Sequence, residues 1–416
     1  MYACQRDSYL KEFETKIVAL SENEPYLKVE LEDTILFPEG GGQNYDTGFI
    51  GSHRVVNVFR EGRKAIHYVE VSSKENDAPL VPNDLVRLKV DWDRRFDNMQ
   101  QHTGQHLLSA VLETKLGLKT KSWWMAENSI EEVGQSYIEL ELMDGHKVPT
   151  NSDIQVVEQE ANQYIRDQLP VSITTHKLGD PELEKAYSRG LPEDLPKDAL
   201  IRIVNILEDR NMCCGTHVQN LAHLQIIKTL QFQKSKKTTE FVLYFIVGKR
   251  VERYIDICFN RELQLTNLLK NRPLDHYSLI EKALTSCKNT KKINSNLLKE
   301  LALFEAEKVK NMDPLPKYII DHRKEGSSEY IGTFIKELTS DKGLNLFIFL
   351  IVGNGESGNP YQLALFGDPQ DIKKLGSKIC EYLDGKGGGS GNRFNAKINS
   401  LKEYKKAVAL VEEHFK

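Results

Sequence analysis

No stretch of this chain is long and apolar enough to cross a bilayer. The longest hydrophobic run, Leu346 to Val352, is about a third of the ~20 residues a spanning helix needs, and it reads as a buried strand. Cysteine is scarce: six in 416 residues, at Cys4, Cys213, Cys214, Cys258, Cys287 and Cys380. That is too few for a disulfide framework at this size, so a reducing, cytoplasmic setting is expected. Charge of one sign is also missing. Lys and Arg number 56 against 60 Asp and Glu, a formal net charge of −4. This argues against a histone-like polybasic protein but leaves room for a local basic surface. Met1 to Leu10 holds Arg6 and Asp7 and no apolar core of a secretory signal. No internal repeat is visible, and the length allows two or three domains.

Residues 14–90 alternate short β-rich runs with turn signals: Lys16 to Leu20, Tyr26 to Leu31, Arg54 to Phe59, Ala65 to Val71 and Leu85 to Val90. With few helical patterns between them, they predict a small barrel or curled sheet over residues 1–92. The period changes over residues 97–117. Asp97 with Gln100 reads as a capping box, Leu107, Leu108, Val111, Leu112 and Leu116 form an apolar face, and Gly117 supplies the stop. Strands are expected at 119–125, 135–142, 171–176, 201–206, 224–232 and 240–247, with an amphipathic helix at 152–169. Trp123 and Trp124 are expected to pack in the sheet. Residues 93–248 therefore read as a central α+β domain. Arg250 to Lys310 is mainly helical, with a break near Pro273, and predicts a helical arm over 249–312. Residues 313–416 alternate strands and helices around a glycine tract lying between two helical patterns, a second small α/β domain.

Two pairs share one spacing: His102-x3-His106 and Cys213-x3-His217. Residues four apart lie on one helical face, so His102 and His106 can point at one ion. Cys213 and His217 can do the same from a second element, completing a thiolate and three imidazoles, a Zn²⁺ ligand set. Random placement of 11 His and 6 Cys gives about 0.3 pairs of the first kind and about 0.16 of the second. Alone, His102 and His106 read equally well as two surface histidines; the co-occurrence of the two pairs favours a metal. His102-Thr103-Gly104-Gln105-His106 lacks the Glu of the zincin motif, which weakens a zinc-protease reading. Cys4, Cys258, Cys287 and Cys380 have no partner spacing.

Two glycine-bearing segments follow the same logic of weighing. Phe37-Pro38-Glu39-Gly40-Gly41-Gly42-Gln43 is a flexible loop by its usual meaning. It also adjoins a strand with Thr34 and ends in Gln43, so backbone can approach a substrate while two polar groups point inward. Gly385 to Gly391 is a linker by composition. Yet residues 373–416 hold ten Lys or Arg against five Asp or Glu. Backbone N–H groups of Gly387, Gly388 and Gly389 beside Lys386 suit the phosphates of a nucleic acid. Lys234, Lys236 and Lys237 read either as another phosphate-contacting loop or as a solvated hairpin tip.

In this order and separation, the segments resemble the editing half of alanyl-tRNA synthetases and their freestanding relatives, the AlaX proteins. Thr34 precedes the Pro38-to-Gln43 segment, the His-x3-His helix follows, and then comes the turn Cys213-Cys214-Gly215-Thr216-His217-Val218. The likeness is nearest to the large eukaryotic type, which shares Cys-Gln-Arg-Asp-Ser-Tyr (Cys4 to Tyr9) and Asn-Met-Cys-Cys-Gly-Thr-His (Asn211 to His217). It covers nearly the whole chain. Cys214 departs from the family by replacing the turn's first Gly, where it can compete as a ligand or oxidise. His223-Leu224-Gln225-Ile226 replaces an acidic-Ile-Gly stretch. No aminoacylation half precedes the editing region, so the chain is not expected to charge tRNA.

The resemblance implies a trans-acting hydrolase of mischarged tRNA(Ala), with residues 93–248 as its editing domain and one Zn²⁺ ion on His102, His106, Cys213 and His217. Four protein ligands close a tetrahedral site where catalytic zinc keeps a position open. The ion is thus either catalytic or an organiser of the pocket, the second being favoured. Cognate Ala-tRNA(Ala) must survive, and a pocket that hydrogen-bonds a serine hydroxyl can reject alanine by ~10⁴-fold or more. Thr34, Gln43 and Thr103 are the polar side chains expected to line it, with Ser-tRNA(Ala) the chief substrate and glycine harder to explain. The alternatives are a Ser-tRNA(Thr) deacylase, since threonyl synthetase editing domains carry a similar ligand set, or a non-catalytic tRNA-binding protein with zinc as a staple.

Overall fold

The computed structural model describes residues 1–70, 79–129, 132–188, 199–235, 239–340, 346–354 and 360–416. It is an α+β protein of two compact units, Met1–Gln264 and Leu265–Lys416. No helix among the described residues is long and apolar enough to cross a membrane.

The first unit opens with a short helix, α1 (Ala3–Arg6), and six strands: β1 (Glu12–Asn23), β2 (Tyr26–Leu31), β3 (Gly48–Ile50), β4 (His53–Glu61), β5 (Lys64–Glu70) and β6 (Leu85–Val90). They close into a barrel in the order β1-β2-β5-β4-β3-β6. Closure removes the free edges that an open sheet must protect. Ile17, Val29, Val55, Val58, Val69 and Leu88 fill it.

Helix α2 (Trp92–Leu116) begins behind Asp91, six residues earlier than the capping box at Asp97 predicts. The Asp97 carboxylate is taken instead by a tertiary pair, with Arg250 Nη2 at 2.7 Å. His102 and His106 therefore sit well inside the helix rather than in its first turns. Gly117, at φ 62°, ends it as expected. Arg95 is fully buried, pairs with the equally buried Asp46 and donates to the carbonyls of Ser8 and Ile35. Breaking such a pair from one side costs about 3–5 kcal/mol, so Arg95 ties α2 to the barrel. Asp46 also accepts from the backbone of Phe37 at 2.7 Å, which anchors the start of the glycine segment.

Then come β7 (Leu118–Trp124), β8 (Ser136–Leu142), α3 (Asn151–Arg166), β9 (Ser172–Lys177), β10 (Leu200–Ile206), β11 (Asp209–Met212), β12 (Ile227–Lys234) and β13 (Glu240–Val247). Thr150 and Asp153 cap α3 reciprocally. One sheet runs β12-β13-β8-β7 and a smaller one β11-β10-β9. Leu107, Leu108, Ile138, Val157, Val204 and Phe245 share a core that joins α2 and α3 to both sheets. The strand expected from residue 224 starts at Ile227, because Leu221–Leu224 is a 3₁₀ turn and Gln225 has φ 64°. Helix α4 (Lys249–Leu269) follows.

In the second unit, a 3₁₀ turn at Pro273–Asp275 leads into α5 (His276–Lys310), β14 (Tyr318–Arg323), α6 (Ser328–Leu338), β15 (Phe347–Val352), β16 (Tyr361–Phe366), α7 (Pro369–Tyr382), β17 (Gly385–Ser390), β18 (Arg393–Ile398) and α8 (Tyr404–Phe415). The sheet order is β14-β15-β16-β18-β17. One structural finding departs from expectation: the glycine tract is the edge strand β17, antiparallel to β18, not a linker between helices. The reason is steric. A Cβ on Gly387 would lie 2.3 Å from the Asn395 carbonyl, and one on Gly389 would lie 2.1 Å from that of Arg393. Glycine there permits close strand approach.

Inside the barrel, fully buried His67 has its pKa pushed down to about 4 by desolvation. Its unfolded value is near 6.5, so between pH 6.5 and 4 the unfolded chain binds the extra proton and acid favours unfolding. Stability should fall by about 3 kcal/mol from this group across that window. Urea titrations at pH 7 and pH 4.5 check this: His67→Gln should show a visibly smaller loss than the wild-type chain.

Candidate metal centre

Helix α2 is buried on every side from Asn98 to Leu112, although it carries Gln100, Gln101, His102, Thr103, Gln105 and His106. Buried polar groups must find partners. Gln101 exchanges two hydrogen bonds with the Val247 backbone, and Gln100 donates to the His223 carbonyl. Gly104 leaves room for Val247, which a Cβ would approach to 2.6 Å. The histidines are thereby aimed with little freedom.

Cys213 and His217 lie just after β11. The ligating atoms of His102, His106, Cys213 and His217 all fall within 4.8 Å of one another. Cys213 Sγ is 3.3 Å from His102 Nε2 and 3.3 Å from His217 Nε2. A tetrahedral ion with Zn–S ~2.3 Å and Zn–N ~2.0 Å sets an S···N edge of about 3.5 Å, so the donor set fits a metal ion of that kind. Cys214 is outside the cluster; its carbonyl accepts from Gln5 Nε2 at 2.8 Å.

The expected pocket residues Gln43 and Thr103 are both here, holding ligands. The Thr216 backbone N–H can only donate, so the Gln43 atom it meets at 2.9 Å is Oε1. Oε1 also sits 2.8 Å from His102 Nδ1, which must therefore carry the proton, leaving the Nε2 lone pair for the cluster. Gln43 Nε2 donates to Thr216 Oγ1 at 2.7 Å. Thr103 Oγ1, 3.3 Å from His217 Nδ1, accepts from Val218 N at 3.1 Å. Burial, with His102 and His106 beside it, holds the His217 pKa well below the usual imidazole value. A neutral ring is the form that binds a metal.

Glycines set the approach distances. A Cβ on Gly215 would lie 2.3 Å from His102 Cε1. Gly41 and Gly42 have φ of 62° and 84°. A Cβ on Gly42 would come 2.7 Å from Trp123, whose ring is 4.7 Å from that of His102. Trp123 packs in the core as expected, whereas Trp124 is 51% exposed and faces Tyr137. Alternation along β7 puts neighbouring residues on opposite faces.

Thr34 is buried in the loop that follows β2. Its oxygen accepts from Leu36 N at 3.0 Å and stands 2.9 Å from His67 Nε2. Lys386, Gly387, Gly388 and Gly389 belong to the second unit, on β17. Lys234 ends β12, while Lys236 and Lys237 lie outside the described residues.

A cleft of about 680 Å³ runs along α2 from His106, lined also by Gln105, Glu113, Lys119, Tyr187 and Asp209. Burial, reinforced by Glu113, pushes the Asp209 carboxyl up to about 6. Sequence reasoning missed Asp209 and Tyr187, which carry no motif. It also missed Arg202, for which there was a signal: one charge inside the apolar run Leu200 to Ile206.

Residues 201–242 match the family described as threonyl and alanyl tRNA synthetase second additional domain. The chain is 39% identical to the mouse alanyl-tRNA editing protein Aarsd1, over 99% of this chain and 98% of that one. The chain belongs to the alanyl-tRNA editing family. It is 38% identical to Aarsd1-B of Xenopus laevis, covering 99% and 97% of the two chains. It is also 30% identical to the putative alanyl-tRNA editing protein alaX of Saccharomyces cerevisiae, covering 96% and 93%.

In this member of the editing family, truncating the residue that orients His102 should weaken the metal without unfolding the chain. Gln43→Ala is expected to lower zinc affinity about 10- to 100-fold, and Gly215→Ala to abolish binding. Competition against a chromophoric chelator measures both.

Proposed function

We propose that this protein is a trans-acting hydrolase that removes serine from Ser-tRNA(Ala) and spares Ala-tRNA(Ala). The observation that carries the reading is the meeting of four metal ligands from distant segments, with a cleft opening at His106. Family membership supports the same tRNA. The six cysteines, none of them in a disulfide, suit a reducing cytoplasm.

His102, His106, Cys213 and His217 would hold one Zn²⁺. When bound, zinc supplies a positive centre that polarises oxygen and stabilises developing negative charge. The chain's own residues do the rest. Gln43 fixes the tautomer of His102, and Thr103 holds the His217 ring at Nδ1. The reaction adds water across the ester: the water oxygen bonds to the acyl carbon, the acyl C–O bond to ribose breaks, the ribose oxygen takes one proton of the water, and the amino acid leaves as a carboxylate with the other proton released to solvent. The ester is already activated, so positioning contributes much of the rate.

Thr34 offers the selectivity. His67 Nδ1 lies 3.1 Å from the Val29 carbonyl, and a neutral ring donating there leaves Nε2 as an acceptor. The Thr34 O–H therefore points at His67. One lone pair remains after the bond from Leu36, which a serine hydroxyl can meet as donor and alanine cannot. Unmet hydrogen-bond demand falls on the cognate residue.

For tRNA contact we place the phosphates on the exposed face of β17 and β18. Lys386 pairs with Lys397, Gly388 with Asn395 and Ser390 with Arg393, which puts these six on one face. A Cβ on Gly388 would meet nothing within 4 Å, so the fold does not demand that glycine. Bare backbone between cations suits a phosphate.

Deacylation of Ser-tRNA(Ala), Gly-tRNA(Ala), Ser-tRNA(Thr) and Ala-tRNA(Ala) side by side tests the reading. Rapid loss of serine from the first, with the last intact, is expected. Preference for Ser-tRNA(Thr) would transfer the activity to the threonine system, and binding without hydrolysis would make the metal a staple. Cys213→Ala should lose both metal and turnover. Lys386→Glu with Lys397→Glu should raise KM with little change in kcat and reduce the salt dependence of tRNA binding by about one unit per lost contact.

A further inference from the structure

Arg202 is 5% exposed in β10, between the buried apolar residues Ile201, Ile203 and Val204. Its carbonyl accepts from the Cys213 backbone N–H at 3.2 Å. Its side chain reaches the same turn from the other side: Nη1 donates to the Gly215 carbonyl at 2.7 Å and to the Cys213 carbonyl at 3.3 Å. One residue thus grips the turn on both sides of Cys214, at Cys213 and at Gly215.

The rest of the guanidinium is idle. Nε and Nη2 are buried with no hydrogen-bond partner among the described residues. Burial lowers the guanidinium pKa from its ordinary value, opposed by Cys213, Cys214 and Cys4. A buried cation with unused donors destabilises a fold, and an apolar side chain of similar size is usually as good or better there. Positive charge behind a metal-binding turn also works against a cation. Neither packing nor charge accounts for an arginine at this place. The two carbonyl bonds do.

We propose that Arg202 is a positioning residue for the metal centre, holding the Cys213–Gly215 turn so that Cys213 and His217 meet the two histidines of α2. This rests on the reading of the four-residue cluster as a zinc site. Thr103 and Gln43 orient the rings, and Arg202 orients the turn backbone between Cys213 and His217. Without the grip, the turn has to be ordered when the metal arrives, and affinity falls by that cost.

The test uses the full chain with Arg202→Met and Arg202→Lys. Zinc affinity is measured by chelator competition, Co²⁺ in place of Zn²⁺ reports ligand geometry through its visible spectrum, and thermal midpoints are taken with and without zinc. Arg202→Met should bind zinc about tenfold or more weakly and shift the cobalt spectrum, while its zinc-free midpoint stays at or above that of the wild-type chain. Arg202→Lys, which keeps N–H donors, should recover part of both properties. Wild-type zinc affinity and cobalt spectrum in the Met variant would overturn the proposal. So would a midpoint lowered equally with and without zinc, the mark of a merely structural residue. Should the Met variant fail to fold, a wild-type cobalt spectrum in the Lys variant overturns it and a shifted one supports it. Absence of zinc binding by the wild-type chain would remove the metal centre itself, an outcome distinct from failure of Arg202 alone.

Discussion

An imidazole can offer a metal either of two nitrogens, and a buried one cannot turn to water to settle which. In this protein the choice at His102 is made by a single amide oxygen. Gln43 Oε1 is pinned by the Thr216 N–H, and so His102 keeps its proton on Nδ1 and presents Nε2. The same amide binds the Thr216 hydroxyl through Nε2. Three segments far apart in sequence are joined at that group: the glycine segment, helix α2 and the metal turn. Each bond contributes modestly, about 0.5–1.5 kcal/mol by itself. Their combined effect is geometric, because the closest approaches here have no slack. Gly215 faces His102 and Gly42 faces Trp123 at distances a methyl group could not occupy.

The surrounding core explains why this polar network stays in register. Helix α2 is enclosed between the barrel, α3 and the sheets, so its amides and histidines are cut off from solvent and must be satisfied internally. A helix with Gln100, Gln101, His102, Thr103, Gln105 and His106 in a row would be poor material for an ordinary core. Here each identified bond to Val247, His223, Gln43 or Val218 sets the helix's rotation and height. Polar residues cost solvation in such a place and return specificity of position. The Arg95–Asp46 pair adds an electrostatic anchor between α2 and the barrel.

Much of this was legible in the residues. The barrel strands, the amphipathic helix α3 and the four-ligand cluster follow from periodicity and the i, i+4 rule. The start of α2 did not, because Asp97 looks like a local cap yet pairs with Arg250, a partner 153 residues away. Local patterns cannot register such partners. The glycine tract misled for a related reason. Glycine usually marks a turn, but Gly387 and Gly389 are required by backbone approach across β17 and β18. Gln43 and Thr103 stood out in the sequence as polar pocket residues, whereas their contacts to His102 and His217 became visible only with coordinates. Arg202 was legible as an oddity, a charge in an apolar strand, and its partners at Cys213 and Gly215 were not.

All four ligands come after the barrel in the chain, while the amide that selects the nitrogen of His102 comes from the barrel's own glycine segment. A fragment limited to the ligand-bearing layers would hold every donor atom and still lack the part that aims one of them. The two halves therefore cannot be exchanged independently between relatives without retuning that contact. Their border is a shared component rather than a seam.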